Sequence, residues 1–585
     1  MTTNAAVDPV TFAVVRNGLV SAAREMYTVF KRTTMLAIIY EFNDFGVSLF
    51  DHRLNLIADA PGIPIFLGSL DTCIERTLEE IGGPEVLREG DVLLNNHPYL
   101  TAGQPADAAV ILPIFHDGEI IAYAALRAHM GDFGGRGWYP VDSTELFQEG
   151  TLLPGVKLFE AGELNETIVR IIRANSRIPN ETVGSIMGGV AAAHACRRKV
   201  LALVEKYGLD VYYDVIDQAL DHGEKIARAA IEEIPDGVYS YVDYLDGNGI
   251  DDEPVKVSCE ITIEGSNVTI DLSGSDPQQG APINCPWGYT LTTARFAMKR
   301  ITTPDLPATS GEYRPVTVIA PEGSLYNPTH PAPCFIGAWG SIRLSDVIVQ
   351  ALAPALPERI PAESGGDLAV CSVRLRHLES GRWCIFAEFG ALGMGASYGK
   401  DGMNALIHPT EAGCESLPAE LVETRVPILR RSWELICDSG GPGEFRGGLS
   451  AKSEWEFRST GIVNAITEKT KASVTRGLAG GHAAPFNNLL TVFPGTDREL
   501  RLGKKSDIKI APGDVFTMRA GGGGGYGDPL RRPPEKVLED VRNGYVSVGE
   551  AKRSYGVIVD DQTLELDEEA TAEYRAGSER HPANS

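Results

Sequence analysis

The sequence lacks the features that mark secreted, membrane-spanning and disulfide-stabilised chains. No uncharged apolar run approaches the roughly 20 residues that a membrane-spanning helix requires. The first residues also contain no basic segment of the kind that begins a secretory leader. The nine cysteines include no C-x-x-C pair, and their odd number is typical of a reduced intracellular protein. We therefore expect a cytoplasmic protein.

Positive charge is scarce as well. Lysine and arginine number 53 against 79 aspartates and glutamates, which leaves a net charge of −26, and the acidic surplus is spread along the chain. Such a chain would be repelled by nucleic acids and by anionic membrane surfaces. The expected partners are therefore proteins and small molecules, with neither nucleic acid nor membrane among them.

The length of 585 residues and the 43% hydrophobic content predict several hydrophobic cores, because a single core stops growing near roughly 250 to 300 residues. The pattern of apolar residues changes along the chain between helical spacing and short strand-like runs separated by turn residues. These changes predict a multi-lobed α+β or mixed α/β fold with mixed and antiparallel sheets. The expected segments are an N-terminal α/β lobe over 1–235, a β-rich lobe over 236–320, a mixed α/β lobe over 321–440, a β-rich lobe with a Gly-rich loop over 441–530, and a C-terminal helix and tail over 531–585.

Apolar spacing and capping residues predict individual elements within these lobes. Asp8-Pro9 would begin a long amphipathic helix, and Gly82-Gly83 would stop a second helix that starts near Ser69. Polar turns at 51–53 and 117–118 predict two hairpins. Further expectations are a helix over about 216–234, strands over 238–245, 255–263 and 268–272, a buried helix or strand pair over 345–356, a helix over 534–542 and a frayed end over 569–585.

The second hairpin carries the residues best suited to chemistry. Two apolar runs flank the Asp117-Gly118 turn, and a two-residue loop would place Asp107 opposite Ala128. Side chains alternate along a strand, so Ala128 and His129 face opposite sides of the sheet. A bulge, or a strand that ends at Ala128, is therefore required to bring Asp107 and His129 together.

Other polar side chains lie close to this end of the hairpin, namely Gln104, His97 and Asp132. Together with Asp107 and His129 they form the inventory of a metal site or of a general acid/base cluster. The same residues also suit a loop crossing, in which they would only cap and hydrogen-bond the backbone. From spacing alone, both interpretations stay open.

A glycine-rich run occupies residues 521–527 and contains a formal G-x-G-x-x-G that starts at Gly522. No strand follows at the distance of a βαβ unit and no G-K-[ST] is present, so neither a dinucleotide-binding nor a Walker motif is supported. The run predicts either a structural turn or a loop that offers N–H groups to an anion. The sequence also has no G-x-S-x-G elbow, which leaves nucleophilic catalysis without support.

Short motifs spread along most of the chain point to a family. They lie at 8–12, 67–69, 96, 98–100, 144–150, 155–158, 314–315, 320–324, 440–448, 512–514 and 521–529. In these motifs the chain resembles the hydantoinase B/oxoprolinase family. That family includes the B subunits of N-methylhydantoinases, the C-terminal half of 5-oxoprolinase and the large subunits of acetone and acetophenone carboxylases.

The resemblance implies a B-type subunit that works with a hydantoinase A-like partner and with small accessory subunits. The partner would bind ATP and phosphorylate a carbonyl oxygen. In hydantoinases and oxoprolinases the activated amide is then hydrolysed, whereas in ketone carboxylases an enol phosphate attacks activated bicarbonate. ATP would therefore bind on the partner, biotin is not implied, and the second half-reaction would take place on this chain near a divalent metal.

In the family, the metal segment usually reads G-G-T-H-x-P-D and is followed later by A-H-H-A-D. Here Gln104 and Met130 stand in place of two of the histidines. Glutamine is a poor ligand for a borderline metal, and methionine is soft. The residues that the resemblance still implies as metal ligands are Asp107 and His129, with His97 as a substitute, and those implied for catalysis are Asp107, His129 and Asp132.

The altered ligands favour carboxylation over hydrolysis by a metal-bound water. Carboxylation needs a dry pocket, cations for a carboxylate or phosphate, and no proton donor that would quench an enolate. Arg127 is expected to act in catalysis, and Arg136 and Lys157 are expected to bind the substrate through a carboxylate or phosphate group. Trp138 and Tyr139 are expected to bind an aromatic ketone, although both also suit core packing. We expect an acetophenone carboxylase-like subunit that uses a small carbonyl substrate and bicarbonate. The alternatives are a cyclic amide hydrolase of the hydantoinase/5-oxoprolinase type and a non-catalytic scaffold.

Overall fold

The structure, a computed structural model, describes residues 7–101, 103–485 and 488–578. The chain forms two compact units. Unit 1 comprises the residues up to Ser240 together with Val257–Ile348 and Pro409–Leu417, and unit 2 comprises Tyr241–Lys256, Val349–His408 and the described residues from Pro418 onward. Within the described residues, no helix combines the length and the apolar composition needed to cross a bilayer. The finer division into five segments stays a prediction.

Helix α1 (Pro9–Thr33) begins where the sequence predicts. The Asp8 carboxylate accepts hydrogen bonds from the backbone N–H groups of Val10 and Thr11, both at 3.1 Å. Its buried apolar side chains recur every three or four residues and form one face. The later helices are α2 (Ala37–Tyr40), α3 (Pro64–Leu67), α4 (Leu70–Ile81), α5 (Pro98–Thr101), α6 (Glu166–Asn175), α7 (Pro179–Tyr207), α8 (Leu209–Ile231), α9 (Trp287–Thr302), α10 (Ser310–Tyr313), α11 (Gly337–Ala351), α12 (Ala419–Arg425), α13 (Pro534–Arg542), α14 (Val548–Tyr555) and α15 (Glu568–Ser578).

The strands of the described residues form mixed and antiparallel sheets, as predicted. They are β1 (Phe45–Asp51), β2 (Leu56–Asp59), β3 (Val92–Asn95), β4 (Asp107–His116), β5 (Glu119–His129), β6 (Val156–Glu160), β7 (Glu163–Leu164), β8 (Gly237–Leu245), β9 (Val255–Glu264), β10 (Asn267–Asp271), β11 (Val316–Ile319), β12 (Val370–Arg376), β13 (Trp383–Glu388), β14 (Ile428–Leu435), β15 (Ala451–Phe457), β16 (Gly461–Ile466), β17 (Leu489–Val492), β18 (Leu500–Leu502), β19 (Lys505–Ile510) and β20 (Val515–Arg519). Strands β10 and β11 pair in parallel. The sheet orders are β2-β1-β5-β4-β3-β6-β7, β11-β10-β9-β8, β13-β12-β16-β19 and β14-β15-β20-β17-β18. The α+β class predicted from the sequence is therefore confirmed.

The β4–β5 hairpin of unit 1 forms as expected, but with a different register. Beyond the first pairs after the turn, a register shift leaves Ile121 as a bulged residue. From there on, Asp107 pairs with His129. The expectation that Asp107 faces Ala128 is wrong by one residue, and the bulge needed to join Asp107 to His129 is present.

The C-terminal segment corrects another expectation. Residues 569–578 belong to helix α15, whereas the frayed end expected for 579–585 lies outside the described residues. The hydroxyl of Thr571 accepts the N–H of Ile558 at 2.9 Å, and the Arg575 guanidinium donates to the carbonyl oxygen of Tyr555 at 2.8 Å. Composition suggested a solvated tail because these tertiary hydrogen bonds are not visible in the local sequence.

The glycine-rich run in unit 2 is buried against other glycine-rich segments. The N–H of Gly523 donates to the carbonyl oxygen of Gly448 at 3.0 Å, and the N–H of Gly524 donates to that of Glu363 at 2.8 Å. A Cβ at Gly523 would overlap the carbonyl oxygen of Met394. The N–H groups are used inside the protein and the backbones lie too close for side chains, so these contacts support a structural role and give no support to an anion-binding loop.

We expect Gly523→Ala to destabilise unit 2, because the added methyl group would collide with backbone. Overpacking typically costs about 1–3 kcal/mol, and a collision with backbone belongs at the upper end of that range or above it. The midpoint of urea unfolding, followed by tryptophan fluorescence, should fall accordingly. Gly503→Ala is the matched control, since nothing lies within 4 Å of a Cβ at that position. Equal losses in both variants would contradict the close-packing argument.

Candidate active site

Asp107 and His129 lie together at the end of the β4–β5 hairpin in unit 1. Both side chains are fully buried, and Nδ1 of His129 lies 3.3 Å from Oδ1 of Asp107. The bulge at Ile121 produces this contact, because residues directly opposite each other point to the same face of the sheet. The two strongest candidates from the sequence are thus brought together.

Two neutral side chains complete the hydrogen bonding of Asp107. The amide nitrogen of Gln104 donates to Oδ1 of Asp107 at 3.3 Å and lies 3.1 Å from Nδ1 of His129. The hydroxyl of Tyr289, on α9, donates to Oδ2 of Asp107 at 2.6 Å. Donors from the protein therefore hold both carboxylate oxygens and fix the side chain in place.

Two further buried carboxyls, Asp44 and Glu411, interact electrostatically with this pair. Burial is the main cause that raises the pKa of Asp44 to about 8; His129 opposes the rise, and Asp107 and Glu411 add to it. Burial likewise raises the pKa of Glu411 to about 8, with a further contribution from Asp107. Both carboxyls are therefore mostly protonated at neutral pH.

Short backbone contacts place these carboxyls beside the hairpin. Asp44 directly precedes β1, and its carbonyl oxygen accepts the N–H of His129 at 3.3 Å. Glu411 ends the 3-10 helix Pro409–Glu411. Gly413, two residues after Glu411, contacts the residue before Asp44: the side-chain amide of Asn43 donates to the carbonyl oxygen of Gly413 at 3.2 Å. A segment distant in sequence thereby joins the cluster.

His129 holds its proton more readily than an ordinary histidine. Burial disfavours the imidazolium, but the hydrogen bond to Asp107 and the carboxylates of Asp107 and Asp132, with that of Asp44 when it is ionised, outweigh it, so the pKa lies above the usual 6.5. When the ring is protonated, both of its nitrogens carry N–H groups. Nε2 is buried and has no hydrogen-bond partner among the described residues. The ring therefore has a donor available for a ligand.

Aromatic side chains surround the imidazole of His129. The ring of Tyr139 stacks on it with centroids 5.3 Å apart and planes inclined by 12°. Trp138 approaches it edge-on at 6.3 Å, and Phe335 packs edge-on against Tyr139 at 5.4 Å. Trp138 and Tyr139, predicted from the sequence as substrate-binding residues, thus lie in the cluster. Their rings form an apolar wall next to the histidine.

Arg127 lies two residues before His129, on the same face of β5, and is fully buried. Its guanidinium donates to the carbonyl oxygen of Ile65 at 2.8 Å and lies 5.2 Å from the ring centre of Phe66. Its charge also acts on Tyr289, the residue that donates to Asp107. Arg127 therefore lies beside the cluster and connects it to helix α3.

Asp132 and Arg136 are bound to other partners. The Arg177 guanidinium forms an ion pair with Asp132 at 2.8 Å, and the backbone N–H of Arg177 donates to the same carboxylate at 2.6 Å. Asp132 acts on His129 through its charge. Arg136 is half exposed and forms an ion pair with Asp142 at 2.7 Å. The catalytic role of Asp132 and the substrate-binding role of Arg136 stay predictions.

Lys157 lies farther along the sheet. Its ammonium group forms an ion pair with Asp91 at 2.8 Å. In the ladder, Leu93 pairs with both Lys157 and Ile111, and Ile111 lies four residues along β4 from Asp107. Four strand residues span about 13 Å. Lys157 is therefore not brought to the cluster, and its substrate-binding role stays a prediction.

His97 lies in a separate group of rings. It stacks on His330 with centroids 5.7 Å apart and approaches the ring of Tyr99 at 6.1 Å. Burial, with the charge of His330, lowers the pKa of His97 to about 4. The structure does not join His97 to Asp107 and His129, so a role as substitute metal ligand gains no support from the geometry.

The residues around Asp107 do not fit a divalent metal. Among the described residues, no group of three or more His, Cys, Asp or Glu side chains is arranged to hold one. Asp107 accepts hydrogen bonds from Gln104 and Tyr289, and no third His, Cys, Asp or Glu side chain among the described residues is arranged to join Asp107 and His129 as a ligand. A histidine with a raised pKa also competes poorly for a metal, because the ligand must be deprotonated. The donor set of this chain therefore suits hydrogen bonding.

Three members of the cluster were not predicted from the sequence: Asp44, Tyr289 and Glu411. Asp44 carried one usable signal, since it directly precedes an apolar strand, and that strand pairs with β5. Tyr289 and Glu411 lie far from Asp107 in sequence, and no local motif connects them to the hairpin. Only the folded chain shows that they belong to one site.

The structure is similar to two solved enzymes. Superposition on the ATP-dependent caprolactamase from Pseudomonas jessenii gives a TM-score of 0.89 at 29% sequence identity and covers 98% of this chain and 100% of that chain. The nucleotide-free structure of acetone carboxylase gives a TM-score of 0.88 at 19% identity and covers 99% of this chain and 84% of that chain. At that identity, acetone carboxylase shows a shared fold.

Sequence comparison leads to the same group. The caprolactamase subunit beta of Pseudomonas jessenii is 31% identical, over 97% of this chain and 99% of its own length. The family model of hydantoinase B/oxoprolinase matches residues 8–529. The match covers most of the chain and confirms the resemblance found in the motifs. The chain therefore belongs to the hydantoinase B/oxoprolinase family.

Proposed function

We propose that this chain is the B-type subunit of a heteromeric, ATP-dependent enzyme that hydrolyses a cyclic amide of the lactam or hydantoin class. The similarity to caprolactamase subunit beta over nearly the whole chain supports this proposal. The observation that carries it is the buried cluster of unit 1, where two carboxyls with a pKa of about 8 adjoin the Asp107–His129 pair. A hydantoinase A-like partner, with small accessory subunits, would bind ATP and phosphorylate the amide oxygen.

The proton transfers of amide hydrolysis suit Asp44 and Glu411. When water adds to the activated carbon it must lose a proton, and when the ring C–N bond breaks the nitrogen must gain one. The product of ring opening is then an acyl phosphate, which a second water cleaves to the carboxylic acid and inorganic phosphate. A carboxyl with a pKa of about 8 is present in both forms near neutral pH, which is where general acid and base catalysis is most efficient. We assign these transfers to the two carboxyls.

His129 would bind the oxygen that carries the phosphoryl group. Its Nε2 is buried without a partner among the described residues, and an N–H in a water-poor site stabilises developing negative charge strongly. Asp107 would hold the ring in position and favour its protonated form, and Gln104 would hold Asp107 in turn. In this proposal Asp107 and Gln104 are positioning residues, and no step requires a metal bound to Asp107.

A ketone carboxylase of the acetophenone type is the second candidate. The rings of Trp138, Tyr139 and Phe335 near His129 would suit an aromatic ketone. Carboxylation, however, requires that an enolate carbon meet no proton donor before bicarbonate reacts. The mostly protonated carboxyls of Asp44 and Glu411 lie in the same cluster, which makes hydrolysis the better-supported reaction.

The reconstituted complex is expected to open a lactam or hydantoin ring with consumption of ATP and without bicarbonate. Incubation with ATP, labelled bicarbonate and either a cyclic amide or acetophenone distinguishes the two candidates. Label retained in an acid formed from the ketone would contradict hydrolysis and support the carboxylase.

Variants at the two ends of the β4–β5 hairpin provide the control for this assay. Asp107→Asn removes the charge that supports the imidazolium and should lower kcat about 100-fold or more. Asp117→Asn, at the exposed turn of the same hairpin, should leave kcat unchanged. Equal turnover of both variants, in intact complexes, would instead favour a scaffold role for the chain.

Ring opening is expected to be fastest near pH 8 and to slow on either side of it. One carboxyl must be ionised to accept a proton from water and the other must be protonated to donate to nitrogen, and both have a pKa of about 8, so the base is lost below pH 8 and the acid above it. The double variant Asp44→Asn/Glu411→Gln cannot transfer these protons, and we expect both a lower kcat and the loss of this maximum. A wild-type rate with no maximum between pH 7 and pH 9 would contradict the assignment.

The purified chain is expected to contain much less than one equivalent of zinc, manganese or iron. Gln104→His replaces the donating amide with an imidazole that has a lone pair, so metal content should rise. Elemental analysis after dialysis measures both proteins. Gln148→His is the control, because Gln148 bonds the exposed Thr144. One equivalent of metal in the wild-type chain would contradict the hydrogen-bonded site described above.

A further inference from the structure

A cavity of about 420 Å³ lies in unit 1, and its lining residues, all within the described part of the chain, include no member of the Asp107 cluster. Helix α1, the segment between β2 and α4, the C-terminal half of α9 and the loop that follows α9 form its walls. The volume is within the range of small-molecule sites. Four prolines, together with Leu67 and Phe296, make much of the lining apolar.

Arg300, on α9, brings a positive charge to this cavity. Its guanidinium forms no ion pair with a described residue, and it lies 5.5 Å from the ring centre of Phe296. Burial lowers the pKa of Arg300, and the charge of Asp346 offsets this only in part. Arg300 is partly buried, so an anion bound in the cavity would add charge-assisted hydrogen bonds to a guanidinium that has no ion partner.

Asp59, at the end of β2, brings a carboxyl to the same cavity. Burial raises the pKa of Asp59 to about 7, with Lys299 opposing the rise and Glu312 adding to it. Lys299 is already bound by Glu312, at 2.6 Å. The carboxyl of Asp59 forms no ion pair with a described residue, which leaves it able to accept an N–H group.

Arg300 and Asp59 are not paired with each other, although both line the cavity and have opposite charges when ionised. Both are partly buried and lie on the lining of the cavity, where a ligand could reach them. Arg24, on α1, adds an exposed guanidinium to the lining. The cavity thus combines cations, a carboxyl and apolar walls.

We propose that this cavity binds a small molecule with a carboxylate at one end, an N–H group at the other and an apolar chain between them. The planar guanidinium of Arg300 would donate two parallel hydrogen bonds to the carboxylate. The N–H group would donate to Asp59, and the chain would pack against the prolines. An amino acid whose amino group is separated from its carboxylate by an unbranched chain has this chemistry. The site is additional to the proposed reaction and does not depend on it.

Isothermal titration calorimetry of the full-length chain with 5-aminopentanoate, pentanoate and pentylamine tests this proposal. The amino acid should bind about tenfold more tightly than pentanoate, because only it meets both Arg300 and Asp59, and pentylamine should bind most weakly. Arg300→Gln should lower the affinity for both 5-aminopentanoate and pentanoate about tenfold or more. Asp59→Asn should remove the advantage of the amino acid while leaving pentanoate binding unchanged.

Arg32→Gln is the matched control, since it removes an exposed charge from α1 outside the cavity. Circular dichroism establishes that each variant is folded. If Arg300→Gln does not fold, Arg300→Lys replaces it. Lysine keeps the positive charge but cannot donate two parallel hydrogen bonds, so the binding of both acids should still be weaker than in the wild type. No saturable binding of any probe, or equal affinity in the wild type and the Arg300 variant, would overturn the proposal. Tighter binding of inorganic phosphate than of pentanoate would overturn the assigned ligand class.

Discussion

One extra residue in strand β5 determines which side chains meet at the centre of unit 1. Because Ile121 is bulged out of the ladder, Asp107 faces His129 across the hairpin, and Arg127 lies on the same face two residues away. In the register of the turn alone, His129 would point to the other side of the sheet. The hydrogen bonds from Gln104 and Tyr289 and the stacking of the aromatic rings depend on this register.

Burial also determines how the side chains of this cluster ionise. Removal from water raises the pKa of Asp44 and of Glu411 to about 8, while the neighbouring carboxylates raise the pKa of His129. Carboxyls that are mostly neutral beside a histidine with a raised pKa suit proton transfer and the binding of a negatively charged oxygen. Gln104 replaces one histidine of the metal motif that the family resemblance implies, and the described residues include no group of three side chains arranged to hold a metal.

Satisfied and unsatisfied polar groups distinguish structural parts of the molecule from candidate binding sites. In unit 2, the N–H groups of Gly523 and Gly524 are bonded to nearby carbonyl oxygens, so that glycine run has a structural role. In unit 1, Nε2 of His129 is buried without a hydrogen-bond partner among the described residues, and the partly buried guanidinium of Arg300 has no ion partner among them. A ligand that completes these interactions would be favoured at both positions.

The sequence by itself determined the features that depend on neighbours a few residues apart. The Asp8 cap, the stop at Gly82 and the turn at Asp117-Gly118 all form where the local pattern predicts them, and the motifs between residues 8 and 529 identify the family. Such features are visible because their interactions are local.

The tertiary structure alone decided the membership of the cluster. It introduced the bulge at Ile121, brought Tyr289 and Glu411 to Asp107, and placed Lys157 in an ion pair with Asp91 away from the cluster. Contacts between residues hundreds of positions apart leave no periodic signal, and a bulge depends on how a whole sheet packs. The pKa of a buried carboxyl likewise depends on neighbours that only the folded chain brings together.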